Sequence, residues 1–157
     1  ASVAGSTHYA MSSAVSVTPP QTSFAVIKSS LASGTRHFMG ETLAGTYRFS
    51  GNSSFLQLNA GSSINSSGIS QAHQLATGLA NGASSVLRAN GSQIATGNTS
   101  GNNYSINQVF GVSATSNFYG NMQEILIYRQ TLTHTIQFIH NAFILSISRR
   151  SNCYHSK

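Results

Sequence analysis

The chain has 157 residues, one domain's worth of protein, and only 6% of them are charged, against about a quarter in an average globular domain. Ser, Thr, Asn and Gly fill 68 of the 157 positions, and the acids are Glu41 and Glu124 with no Asp, which leaves a net charge of +6. So few carboxylates exclude carboxylate-built calcium sites, two-metal nuclease centres and Mg-dependent phosphoryl transfer, while a 39% hydrophobic content with eight Phe and six Tyr excludes a disordered low-complexity chain.

Taken in chain order, the pattern is of short strands punctuated by turn residues. Tyr9–Val17 is the first predicted strand, closed by Pro19-Pro20. Ser23–Ser29 is an apolar run rich in β-formers and is expected to be a central, buried strand; Arg36–Thr42 is a weaker candidate. Thr46–Ser50 and Ser54–Asn59 flank Gly51-Asn52-Ser53 and predict a hairpin. Alternation in its second arm puts Leu56 and Leu58 on one face, with Phe55 and Gln57 on the other.

The strongest local signal is Asn90-Gly91 between Ser84–Ala89 and Ser92–Thr96, because Asn-Gly supplies the two positive φ angles of a type I′ turn. A second Asn-Gly, Asn81-Gly82, joins this hairpin to a preceding strand, His73–Leu79, so a three-stranded antiparallel meander is expected. Asn98–Asn107 is read as a polar loop, Val109–Ser113 as a short strand and Met122–Arg129 as a long one. The period then changes: Leu132, Ile136, Ile139 and Phe143 form a helical stripe with Thr133 as its N-cap. Residues 146–157 follow as a basic tail.

Val109-Phe110-Gly111-Val112-Ser113, then Phe118-Tyr119-Gly120-Asn121-Met122-Gln123-Glu124-Ile125-Leu126-Ile127-Tyr128, then Leu132-Thr133, resembles the C-terminal signature of laminin G-like domains. These belong to the concanavalin A-like lectin/glucanase group of jelly-roll sandwiches. The hairpin Val86–Ile94 and the strand Thr22–Lys28 are similar to two further family segments, so the likeness covers residues 9 to 145. It implies an all-β, antiparallel two-sheet jelly-roll sandwich over residues 1–145 with one short C-terminal helix, and it is nearly silent on function. Departures from the group's pattern are equally informative. Its calcium-dependent members use Asp, and its glucanases carry a Glu-x-Asp-x-x-Glu segment; this chain has neither. Glu124 stands where the signature has its Glu and is expected to be structural, held by a base or a backbone donor inside or beside the sheet.

Candidate chemistry is correspondingly thin. Glu41 and Glu124 are the only pair that could flank a glycosidic bond. None of the six histidines stands two or four residues from another, and no Gly-x-Ser-x-Gly elbow occurs. The expectation is therefore no enzyme, no metal and no cofactor. Five of the eight basic residues are isolated and three fall in the last nine positions, a distribution that points to no specific nucleic acid. Cys153 is alone, so no internal disulfide can form. No apolar run approaches the roughly 20 residues of a membrane span, and Ala1-Ser2-Val3 carries no leader pattern. Five Asn-x-Ser/Thr sequons are close to what this Ser- and Thr-rich composition yields by chance.

What remains is surface. The loops around Asn102, Asn103, Tyr104, Asn117 and Tyr119 mix amides, hydroxyls and aromatics, a combination that binds sugars and also simply makes loops. Ile144, Leu145 and Ile147 continue the apolar pattern beyond the helical stripe, before Arg149 and Arg150. They either mark a partner contact or cap the open end of the sandwich. The charge-poor surface favours a non-catalytic structural protein that packs against other subunits, or copies of itself, on a virus or phage particle. The alternative is a secreted or surface glycan-binding module. The expected location is thus a virion surface or the extracellular space.

Overall fold

A computed structural model describes residues 2–3, 9–30, 36–41, 47–52, 54–67, 74–109 and 118–132. Twelve strands occur among them: β1 (Ser2–Val3), β2 (Tyr9–Val17), β3 (Gln21–Ser29), β4 (Arg36–Gly40), β5 (Tyr47–Gly51), β6 (Leu56–Ala60), β7 (Ser63–Asn65), β8 (Gln74–Ala80), β9 (Ser85–Ala89), β10 (Ser92–Gly97), β11 (Tyr104–Val109) and β12 (Gly120–Tyr128). They form two six-stranded antiparallel sheets, ordered β1-β12-β3-β8-β9-β10 and β2-β11-β4-β5-β6-β7. This is the expected all-β jelly-roll sandwich.

The core between the sheets follows from period-two alternation. Ala25 and Ile27 of β3, Ala76 and Ala80 of β8, Leu87 of β9 and Met122 of β12 face Phe38, Phe49, Leu56, Leu58, Ile64 and Ile106 of the other sheet. Leu56 and Leu58 are fully buried while Gln57 is half exposed, as the alternation requires. At the centre Phe38 meets Phe49 edge-on at 5.4 Å and Phe118 edge-on at 5.2 Å. Strand β3 is buried on both faces. Its outward residues Phe24 and Val26 join Leu75 and Leu132 in a second, smaller cluster. Leu132 reaches it because the Thr22 hydroxyl donates to the Gln130 carbonyl at 2.9 Å and accepts from the Leu132 N–H at 3.3 Å. Burying that leucine contributes about 2 kcal/mol.

The turns obey local chemistry. Asn90 and Gly91 have φ of 50° and 84°, the type I′ signature, and the β8-β9-β10 meander is present. Asn90 is also tied back to β8: its Oδ1 accepts from the Leu75 N–H at 2.9 Å. The β5–β6 hairpin is organised by Asn52, whose Oδ1 accepts from the backbone N–H groups of Ser54 and Phe55 at 2.7 and 3.2 Å.

Several expectations need correction. The polar loop over Asn98–Asn107 ends early, since its last four residues open strand β11, which continues to Val109 and pairs with both β2 and β4. Only Tyr104 and Ile106 turn inward there while Ser105 and Asn107 lie on the other side, so a one-face-buried strand looked like loop composition. Val109 is thus the end of a longer strand; residues 110–113 lie outside the described residues. Strand β7, with Ile64 as its one inward residue, and strand β1 were not anticipated. Glu124 is not tucked into the sheet: it is exposed, beside a register shift between Met122 and Glu124. The helix after Leu132, the 145/146 boundary and the basic tail, with Ile144, Leu145, Ile147, Arg149 and Arg150, lie outside the described residues.

Candidate functional site

Register fixes which loops share an end of the sandwich. Strand β11 starts at Tyr104 opposite Val17, and β5 starts at Tyr47 opposite Ala60, so the loop before β11 and the β6–β7 turn meet at one end. Tyr119 precedes Gly120, which pairs with Ser29, and its ring lies under the Arg36 guanidinium at 5.2 Å. Arg36 in turn pairs with Gly51, at the opposite end. The predicted loop surface is therefore split: Asn102 and Asn103 sit at one end and Tyr119 at the other, while Asn117 lies outside the described residues.

Tyr104 is not a surface residue at all. Its ring is 7% exposed and stacks on Tyr47 at 4.6 Å and 16°. The Tyr47 hydroxyl bonds to Ser23 Oγ at 2.6 Å, and Ser23 Oγ accepts from Gln21 Nε2 at 2.6 Å. Burial pushes both phenols well above their ordinary values, helped at Tyr47 by the neighbouring Tyr104. Both rings thus serve as neutral packing inside the sandwich and neither face of Tyr104 is offered to a ligand.

What the structure assembles around Asn102 and Asn103 is a patch of amides and hydroxyls. Thr99 anchors the loop from inside: it is fully buried, its N–H donates to the Gly82 carbonyl at 3.1 Å, and its hydroxyl meets Ser85 Oγ at 2.7 Å. Above that anchor Asn98 Oδ1 accepts from the Ser100 N–H at 2.8 Å, which lets Ser100 adopt a φ of 68° and present its side chain to the next strand pair. Ser100 Oγ bonds to Ser62 Oγ at 2.6 Å, and Ser100 bridges Gly61 through the backbone. The Asn102 amide nitrogen lies over Gly61, about 3.0 Å from where a Cβ would stand, and the φ of +93° at Gly61 is what favours glycine there.

From Ser62 the patch continues across the outer face of β6 and β7. Asn59 Oδ1 accepts from the Gly61 N–H at 3.1 Å, and Asn59 Nδ2 donates to Ser63 Oγ at 2.9 Å. Gln57 Nε2 donates to Asn65 Oδ1 at 2.8 Å and Gln57 Oε1 accepts from Ser50 Oγ at 3.1 Å. Each primary amide has two donor hydrogens and two acceptor lone pairs, so one or two internal bonds fix its orientation and leave valences for a ligand. The result is a pre-ordered hydrogen-bonding surface made of Gln57, Asn59, Ser62, Asn65, Ser100 and Asn102, with Asn103 exposed at its rim and Arg48 opposite Asn59 on the same face.

Sequence reasoning found Asn102, Asn103 and the outward Gln57 but not their partners, because β7 and the contact between residues 61 and 100 are tertiary. Acid chemistry is not assembled. Glu41 follows β4 in one sheet, and Glu124 is exposed on β12 of the other. Among the described residues no three of His, Cys, Asp and Glu come together. Millimolar calcium should leave the melting temperature unchanged; a rise of several degrees that a chelator reverses would contradict this.

No family model matches the sequence, and no curated protein matches it. Solved structures do match in shape. A carbohydrate-binding module of family 40 from the Ruminococcus gnavus IT-sialidase, bound to α2,3-sialyllactose, superposes with a TM-score of 0.62 at 11% identity, over 85% of this chain and 96% of that one. The heptameric SAP-like pentraxin from Limulus polyphemus gives 0.65 at 12% identity, over 83% and 73%. Domain 4 of an extracellular GH43 arabinanase from Geobacillus stearothermophilus, in complex with arabinotriose, gives 0.59 at 16%, over 78% and 66%. At such identities the likeness establishes the jelly-roll fold.

Proposed function

We propose that this domain is a non-catalytic, lectin-like module that binds a glycan on the amide–hydroxyl patch. The observation that carries the reading is the patch itself, a run of side chains locked in place by mutual hydrogen bonds with polar valences left over. Hydroxyl-rich ligands need many weak, directional bonds, and ordering the side chains beforehand removes much of the entropy cost of making them. The sialidase module and the arabinanase domain, each solved with a saccharide, support a saccharide as the class of ligand. An extracellular location fits the same comparison. The particle-coat reading draws on the charge-poor composition and on Ile144, Leu145 and Ile147 in the C-terminal segment, and none of these neighbours is a virus protein.

The test is a glycan array followed by calorimetry on the best ligand. Changing Asn59, Asn102 and Asn103 together to Ala should weaken binding by about tenfold to a hundredfold, about 1.4 to 2.7 kcal/mol spread over several hydrogen bonds. The circular dichroism spectrum should not change. Undiminished binding by the triple variant would remove the patch from consideration.

A further inference from the structure

Thr77 of β8 and Arg88 of β9 stand directly opposite each other on the face of their sheet that points away from the main core. The next pair along the same face is Leu79 and Val86, and these four side chains line a shallow cleft, half open to solvent, whose enclosed space is only about 10 Å³, so a bound group rests at its mouth. Its polar groups are unspent. Thr77 is 2% exposed, yet its Oγ1 has no hydrogen-bond partner, and neither Nε nor Nη1 of Arg88 meets an acceptor although both are buried. Desolvating guanidinium donors without a partner is costly, as is burying a hydroxyl.

No side chain supplies the missing negative charge. The chain has two acids: Glu41 belongs to the other sheet, and Glu124 sits on β12, with β3 and β8 intervening before β9. Three interstrand steps put Glu124 about 14 Å away, beyond the roughly 10 Å over which charges act at ordinary salt.

We propose that this cleft is a binding site for a small organic carboxylate. The carboxylate accepts from the Arg88 guanidinium and the Thr77 hydroxyl, while the apolar body of the ligand lies on Leu79 and Val86. The site is on the opposite sheet from the amide–hydroxyl patch and does not depend on the glycan reading.

The test titrates the ¹⁵N-labelled protein with butyrate, acetate and inorganic phosphate in turn and follows the Arg88 Nε–H resonance. Butyrate should shift it saturably. Acetate should bind roughly tenfold more weakly, because two methylenes are lost from the apolar wall, and phosphate should bind more weakly than butyrate. Thr77→Val should weaken butyrate several-fold, and Arg88→Met should abolish the perturbation at Leu79 and Val86. Removing an uncompensated charge should leave Arg88→Met folded with an equal or higher melting temperature; should it unfold, the wild-type and Thr77→Val titrations still decide. An Arg88 signal unmoved by butyrate, equal affinity for butyrate and acetate, or phosphate binding as tightly as butyrate would each overturn the proposal.

Discussion

Replacing Phe38 with alanine should destabilise the domain by about 4 kcal/mol, the usual cost of emptying a fully buried phenylalanine site. Phe38 is 0% exposed and touches Phe49 and Phe118 edge-on, so its loss opens a hole flanked by two rings that both lose their partner. In a domain of this size that translates into a fall of about 10 °C or more in Tm. Phe38→Leu keeps most of the volume and should cost less than half as much. Chemical denaturation of the two variants checks both values. A Phe38→Ala variant within 1 kcal/mol of wild type would mean that the sheets close over the gap, and that the aromatic trio is not the keystone of the core.

Acid should weaken the fold through His37. This residue is 4% exposed, and burial, then Arg48 and Arg36, lower its pKa from 6.5 to about 4. The folded state therefore keeps His37 neutral where the unfolded chain would take up a proton. Its contribution is fully present above pH 6.5 and is lost as pH falls towards 4; at pH 4.5 the loss is about 2.5 kcal/mol. Urea unfolding at pH 7 and pH 4.5 should show that drop, and His37→Gln should flatten the profile by the same amount. The comparison with the variant removes the contributions of the other histidines. An unchanged pH slope in His37→Gln would show that the imidazole titrates freely in the folded domain.

The two kinds of signal that made the fold legible are both local. Leu56 and Leu58 alternate with Gln57, and Asn90-Gly91 can close a hairpin in one main way, so β6 and the meander followed from neighbours in sequence. Strand β11 did not, because half of its inward side is one tyrosine whose stacking partner, Tyr47, lies 57 positions earlier. The same reason hid most of the site. Asn102 is recognisable as a polar loop residue, but nothing near it in sequence announces that Ser100 will meet Ser62 or that Asn102 will lie over Gly61. Arg88 looked like an isolated surface charge in a hairpin arm; only the register with Thr77 shows that its donors are enclosed.

The pairing of β3 with β12 has a consequence for how the chain is made. Phe24 lies opposite Leu126, 102 positions further on. At translation rates of about 5–20 residues per second, roughly 5–20 s pass between the emergence of the two strands from the ribosome. Until then β3 can pair only with β8 and carries an open, strongly apolar edge, the kind of surface on which nascent chains aggregate. Lys28, the single exposed position in β3, places a positive charge near the end of that edge and acts as a gatekeeper during the delay. Non-local closure also predicts slow refolding in vitro, on the millisecond-to-second scale of β-sandwiches. Expression yield should accordingly depend more on temperature and chaperone supply than on the stability of the finished domain.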